Sequence, residues 1–468
     1  MAIPRLSLAP SVAGAGKGFV ILGFPMNNEP ALTQRTRPLE VLGLAALWAI
    51  VMLTGCGSSP TAPSGITNRA FVTNYYGGST APVGAVQIVN ASNDALSVST
   101  IVSADYPTLM AVSPAREVTM VYGTGTIAVI GNAAEALAGT IQLPGQISGS
   151  PGSMLARNAT TGFAAIPNEN TAVSGSQQLG ALLVLDLAST FSVTNTIYVP
   201  SAHSMVMNPA ASKLLVFSTN GNYPTTGNTP CANGSGLTVF DISTNTATPV
   251  CGFDHAVWGV FSSDGSTAYI MNCGPECGGN VASVQPLTMA SVPVTTAAVT
   301  NAAGTPVPVS TSTSSSTFPA GATMGLLNGS TLYVAGSTGA GEANGTLTVL
   351  DVSGATPVVS ANYAIGSGYH TLMALGANNK LFIGATSCTN GTGCLTVFDT
   401  SAKTAATSSA SGNVTGMAPI PNRGVVYVCE GPPGVGQLHV YYTAATTPSF
   451  STGVEITGNA VDVKTIDQ

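Results

Sequence analysis

One five-residue pattern recurs along this chain and restricts its fold more than any other feature: LLVLD at 182–186, LTVFD at 237–241, LTVLD at 347–351 and LTVFD at 395–399. Degenerate copies end at Asn90 (VQIVN), Gly131 (IAVIG) and Tyr442 (LHVYY). A short apolar run rich in β-branched residues and stopped by a turn former reads as a buried strand. The Asp that closes it can accept backbone N–H groups of the turn beyond.

Eight second strands line up, seven of them each before one of these copies: AFVTN (70–74), VTMVYG (118–123), GFAAIP (162–167), KLLVFS (213–218), TAYIMN (267–272), TLYVAG (331–336), KLFIGA (380–385) and VVYVCE (425–430). First strands stand before these at 108–115, 153–159, 204–210, 256–263, 323–329, 371–377 and 414–421. A last one at 460–467 has no second strand after it. Repetition at about 45–65 residues means units that bury their faces against one another. We therefore expect an all-β fold, a β-propeller of four-stranded blades, over residues 67–468. Eight units can be counted; seven remain open if the weak unit at 108–143 packs irregularly. The strand at 460–467 is expected to pair with 70–74, so that the N- and C-terminal strands close the ring and leave no open edge.

The segment AFVTNYYGGS (70–79), followed by a strand and a turn, resembles the YVTN-type β-propeller repeats of surface-layer and lactonase-like proteins, and the LTVFD strands match the same repeat. The resemblance covers nearly all of 67–468 and implies a fold more than an activity.

The composition agrees. Charged residues make up 7% of the chain, with 54 Gly and 30 Pro, which suits short strands and tight turns better than Glu/Lys-rich helices. The formal charge is -7, and the segment before Cys56 holds four bases and two acids, so the remainder is more acidic still. Without Lys/Arg clusters such a chain repels phosphate backbones, and nucleic acid is excluded as an expected partner.

Arg35 and Arg37 precede an apolar run from Val41 to Leu53, followed at once by Leu53-Thr54-Gly55-Cys56. A run of about 13 residues is short of the roughly 20 needed to span a bilayer and suits the core of a signal peptide. Residues 1–55 are thus expected to be a signal peptide, with Met26 as an alternative start that gives the two arginines a normal flank. Small residues before Cys56 form a lipobox, which makes this cysteine the expected site of lipidation, palmitate included, and the membrane the first expected partner. Several acyl chains together give stable attachment. Gly57 rather than Asp follows the cysteine, which favours the outer membrane of a cell envelope. Residues 56–66 read as the lipidated cysteine and a flexible tether.

Aligning the first strands places His203, His255 and His370 at one position just before the strand, with Asn413 and Asn459 there in two other units. In a propeller this address is the mouth of the central channel, so these five residues are the expected ligand-binding positions. Neutral imidazoles can take zinc, copper or nickel, bind anions, or act as acid and base. They can also simply bond to backbone. The three units are not all adjacent, which argues against one shared ion at about 2 Å; no metal and no cofactor are assigned. His439 lies within a third strand and reads as half-exposed. Asp254-His255 near Trp258 is the one acid–base dyad in a chain with few arginines and no nucleophile elbow, phosphate loop or Cys-x-x-Cys.

Cys231 with Cys251, Cys273 with Cys277 and Cys388 with Cys394 are disulfide candidates for an oxidising compartment. Cys429 is left over, and Cys388 is an alternative partner for it. The connections between second and third strands are long, unequal and on one face, and variable loops on a rigid ring favour recognition. Residues 300–320 are low in complexity and read as a flexible excursion. The expected function is a monomeric, envelope-anchored, non-enzymatic binding or scaffold lipoprotein holding protein or carbohydrate on its loop face. The alternative is a lactonase-like or lyase-like enzyme with a His-lined site at the channel mouth.

Overall fold

Short apolar strands separated by tight turns pair with their sequence neighbours, and seven sheets form in this way alone, while the eighth adds the last strand of the chain to the first three. A computed structural model describes residues 64–467 except 77–82, 104–105, 145–150, 174–175, 224–230, 233, 310–320, 338–343, 389–393, 409–411, 433–434 and 446–449. Cys56, Met26 and the rest of the expected signal segment lie outside the described residues. All described strands fall into eight antiparallel four-stranded sheets. In chain order the blades span 109–142 (II), 153–198 (III), 202–251 (IV), 256–308 (V), 324–365 (VI), 369–407 (VII) and 413–454 (VIII), while blade I combines 69–102 with Asn459–Thr465. The ring is an eight-bladed propeller. Residues 108–143 make a regular blade, which removes the seven-bladed alternative.

The innermost strands touch in sequence around the ring, from Leu109–Val112 of blade II through to Asn459–Thr465 of blade I and back. The core lies between blades, not within them. Eight apolar clusters each join one blade to the next, as where Met120 and Ile127 of blade II meet Ala164 and Leu183 of blade III. Phe163 packs edge-on against Phe240 across the next interface, with ring centroids 6.0 Å apart. A fully buried side chain of this size stabilises by about 2–3 kcal/mol.

Closure follows the expected route. Residues 70–75 pair antiparallel with 459–465, so the two ends of the chain share one sheet. Asp462, buried in the innermost strand, reaches the next blade, accepting from the Met110 amide at 3.2 Å and from Lys464 Nζ at 2.8 Å. Asp241, Asp351 and Asp399 end third strands and each accept the amide two residues on, as Asp186 does, at 2.9–3.0 Å. The capping role read from the repeat is thus present.

One segment corrects the expectation. Val307–Pro308, inside the supposed flexible excursion, is the fourth strand of blade V, and Val309 is fully buried. Within 300–320 it is 310–320 that lie outside the described residues. Residues 59–468 form one compact unit that holds every described strand and all the inter-blade clusters.

The meander fixes two faces. First strands begin, and second strands end, on the face carrying the loops between second and third strands; the opposite face carries the tight turns.

Candidate functional site

The three histidines do not share one address. In blade IV Ala202 pairs with Ser218 and Ser204 with Phe217, so His203 is an extra, bulged residue. The corresponding bulge in blade V is at Val257 and in blade VII at Thr371, because Ala256 pairs with Asn272 and His370 with Ala385. His203, His370 and His255 therefore occupy three successive positions of the strand. Side chains alternate along a strand, so successive positions face different ways. Asn413 and Asn459 do share the His255 position, one residue before Val414 and Ala460. The sequence alignment was off by one or two residues because a β-bulge shifts register without altering composition.

Each imidazole has its own surroundings. His370 is 1% exposed and donates from Nε2 to the Gly366 carbonyl at 3.1 Å, leaving Nδ1 without a partner. Burial pushes it down to about 4, against the opposing pull of that carbonyl, so it is neutral at physiological pH. A Cβ on Gly345 would lie 2.6 Å from its Cε1, so only glycine fits against the ring. Burial also lowers His203, which has no hydrogen-bond partner among the described residues. His255, at φ 58°, is held by Asp254 (Nδ1 to Oδ1, 3.1 Å). Asp254 in turn accepts the Asn280 and Val281 amides at 2.8 and 3.1 Å. Burial raises this carboxyl, but the amides and the imidazole outweigh it and hold it below the usual carboxylate range. A Cβ on Gly234 would meet His255 Cε1 at 2.4 Å, which cages the ring between the loops of blades IV and V. Trp258 takes no part in this dyad; its indole donates to the Gly325 carbonyl at 3.2 Å on the channel wall. Among the described residues, no three His, Cys, Asp or Glu side chains gather to hold a metal.

Two groups on the loop face escaped the sequence reading. Glu276, in the short loop closed by Cys273 and Cys277, reaches blade VI and accepts the Ser337 amide at 3.1 Å and its hydroxyl at 3.0 Å. Burial pushes the carboxyl up to about 7 despite these bonds, and nearby Tyr369 is pushed up to about 12 by burial and by the Glu276 charge. In blade VIII, Glu430 is 1% exposed and receives Tyr441 Oη and, at 2.7 Å, His439 Nδ1. His439 is buried rather than half-exposed, stacked on Phe450 with centroids 4.0 Å apart. A signal existed: where VVYVCE ends in Glu430, corresponding strands end in Asn74, Ser218, Asn272 and Ala385, none of them charged.

Asn413 and Asn459 do meet, lining with Tyr75 a cavity of about 120 Å³ between blades VIII and I. Asn413 Oδ1 already accepts the Ser387 amide at 2.9 Å. A larger cavity of about 540 Å³ beside it is lined by Gln437, His439, Glu455 and Asn459.

All three expected disulfides form, and each fastens a connection between second and third strands: Cys231–Cys251, Cys273–Cys277 and Cys388–Cys394. Cys429 is free and buried in blade VIII, which settles the alternative pairing with Cys388. Burial, with Asp462 nearby, raises its thiol well above the usual value.

The fold and these loops define an eight-bladed propeller with a covalently braced loop face. It is similar in fold to dihydro-heme d1 dehydrogenase NirN in complex with DHE, at 10% identity, 88% of this chain, 78% of that chain and a TM-score of 0.58. Apo AztD from Citrobacter koseri is similar over 85% of this chain and 97% of that one, at 10% identity and a TM-score of 0.52. A putative 6-phosphogluconolactonase from Bacteroides fragilis aligns over 86% and 99% at 13% identity, with a TM-score of 0.46. At such identities the likeness is one of fold. No protein-family model and no curated protein matches the sequence.

Proposed function

We propose that the protein is an envelope-anchored β-propeller lipoprotein, a binding or scaffold module that holds a protein or carbohydrate on its loop face. The observation that carries this reading is where the cross-links fall. All three disulfides brace one face, whose loops differ in length and are rich in Asn, Ser, Thr, Gly and Tyr. A stiffened, variable surface loses little entropy on engaging a partner. The YVTN-like residues at 70–79 and the lipobox before Cys56 support display at the envelope.

Ser64, at the start of the described chain, donates from its amide at 2.5 Å and its hydroxyl at 2.7 Å to Glu135, which lies in a turn between third and fourth strands. The enzymatic alternative needs His203, His255 and His370 to face one substrate. Their separate positions and partners give it less support.

The test of anchoring is palmitate labelling of the expressed full chain beside Cys56→Ala. Label in the membrane fraction, lost in the variant together with membrane retention, is the expected result. An unlabelled native chain overturns the reading.

A further inference from the structure

The central channel holds a second candidate site, at the opposite end from the loops. A cavity of about 530 Å³ at the turn-face end of the channel is lined by the half-buried Val112, Leu155, Trp258 and Pro419 and by Met110, Met154 and Met417, whose side chains are largely buried in the inter-blade clusters. Ligand pockets run to roughly 300–1,000 Å³ and are mostly apolar with a few placed polar groups. This wall is therefore suited to a flexible apolar chain and poorly suited to a sugar.

Two cations lie on the lining, and their partners differ. Lys464 is neutralised by Asp462 at 2.8 Å. Arg116, in the turn between the first two strands of blade II, donates to the Thr465 carbonyl and, at 2.7 Å, to its hydroxyl, both neutral oxygens. Among the described residues Arg116 forms no ion pair, because Asp467 near it is engaged by Arg69. Both bonds use Nη1, so among the described residues the other guanidinium N–H groups remain to meet an anion, and a carboxylate fits such a fork. The lining thus combines an apolar shaft with one positive charge that no ion pair engages among the described residues.

We propose that the channel is a binding site for a single-chain amphiphile with one anionic head, a long-chain carboxylate being the simplest. The chain lies along Val112, Leu155, Pro419 and Trp258, and the head group meets Arg116. The proposal does not depend on the loop-face reading.

The chain contains its own reporter. Of its two tryptophans, Trp48 precedes residue 59, so in residues 59–468 selectively excited tryptophan emission comes from Trp258. Titration of that unit with monomeric laurate should give a saturable fluorescence change. Dodecanol, which has the chain without the charge, should bind about tenfold or more weakly, the order of one charge-assisted contact. Arg116→Gln should lose the same factor for laurate and leave dodecanol unchanged, whereas Leu155→Gln should weaken both. Should Arg116→Gln not fold, the comparison of laurate with dodecanol in the native sequence decides. The proposal is overturned if laurate gives no saturable change, if dodecanol binds as well, if folded Arg116→Gln binds laurate normally, or if only phosphatidylglycerol vesicles produce a response.

Discussion

Arg69 and Asp467 face each other across the two ends of the chain, with Nε 2.9 Å from Oδ2 and Nη2 2.7 Å from Oδ1. The same guanidinium donates to the Asn132 carbonyl and to Glu135, so one side chain ties the first strand, the last strand and the neighbouring blade. Charge-assisted hydrogen bonds in a partly buried setting are each worth about 1.5–3 kcal/mol. Arg69→Ala should therefore lower unfolding stability by about 2–4 kcal/mol, read as a shift of the urea midpoint. A change below about 0.5 kcal/mol would mean that the ladder of 70–75 with 459–465 closes the ring unaided. Deleting 459–468 should prevent folding, since it strips one side of an apolar strand.

The disulfides should rank by the loop they close. Cys231–Cys251 spans 20 residues and Cys388–Cys394 only 6. On the chain-entropy argument these correspond to about 3 and about 2 kcal/mol. Paired Cys→Ala variants measured by denaturant unfolding should fall in that order. The reverse order would show that packing around Cys388 outweighs loop length.

Two buried groups should give stability opposite pH trends. Glu276 titrates at about 7 in the folded ring against an ordinary 4.5, so an unfolded chain has lost a proton that the folded one keeps. Its contribution is complete below about 4.5 and is lost as pH rises through 7. His370 titrates at about 4 against 6.5, so its contribution is complete above 6.5 and is lost as pH falls towards 4. Glu276→Gln should flatten the decline between pH 5 and 7, and His370→Asn should flatten the one on the acid side. Solvent reaches part of Glu276, so screening makes its slope the shallower. Unfolding midpoints across pH 4–8 read both effects.

The strand pattern was legible because each repeat carries its own turn signal, and the Asp186, Asp241, Asp351 and Asp399 caps stand where LLVLD and LTVFD place them. Cys273–Cys277 and Cys388–Cys394 were legible because short spacings leave few alternatives. The candidate site was less so. A bulge adds a residue without marking it, and this separated His203 from His255 and His370. Glu276 gains its importance only from Ser337, 61 residues away in the next blade. The channel chemistry of Arg116 likewise depends on Thr465, which is adjacent only after closure.

Display of the loop face is best tested by site-specific photocrosslinking in intact cells. A benzophenone amino acid at exposed Asn280 or Val435 on the loop face is compared with one at exposed Ser330 on the turn face. A discrete adduct with an envelope protein or glycan from the loop positions, and none from Ser330, is the expected result. Adducts from Ser330 alone, or the same adducts from all three positions, would contradict a recognition role for the braced loops.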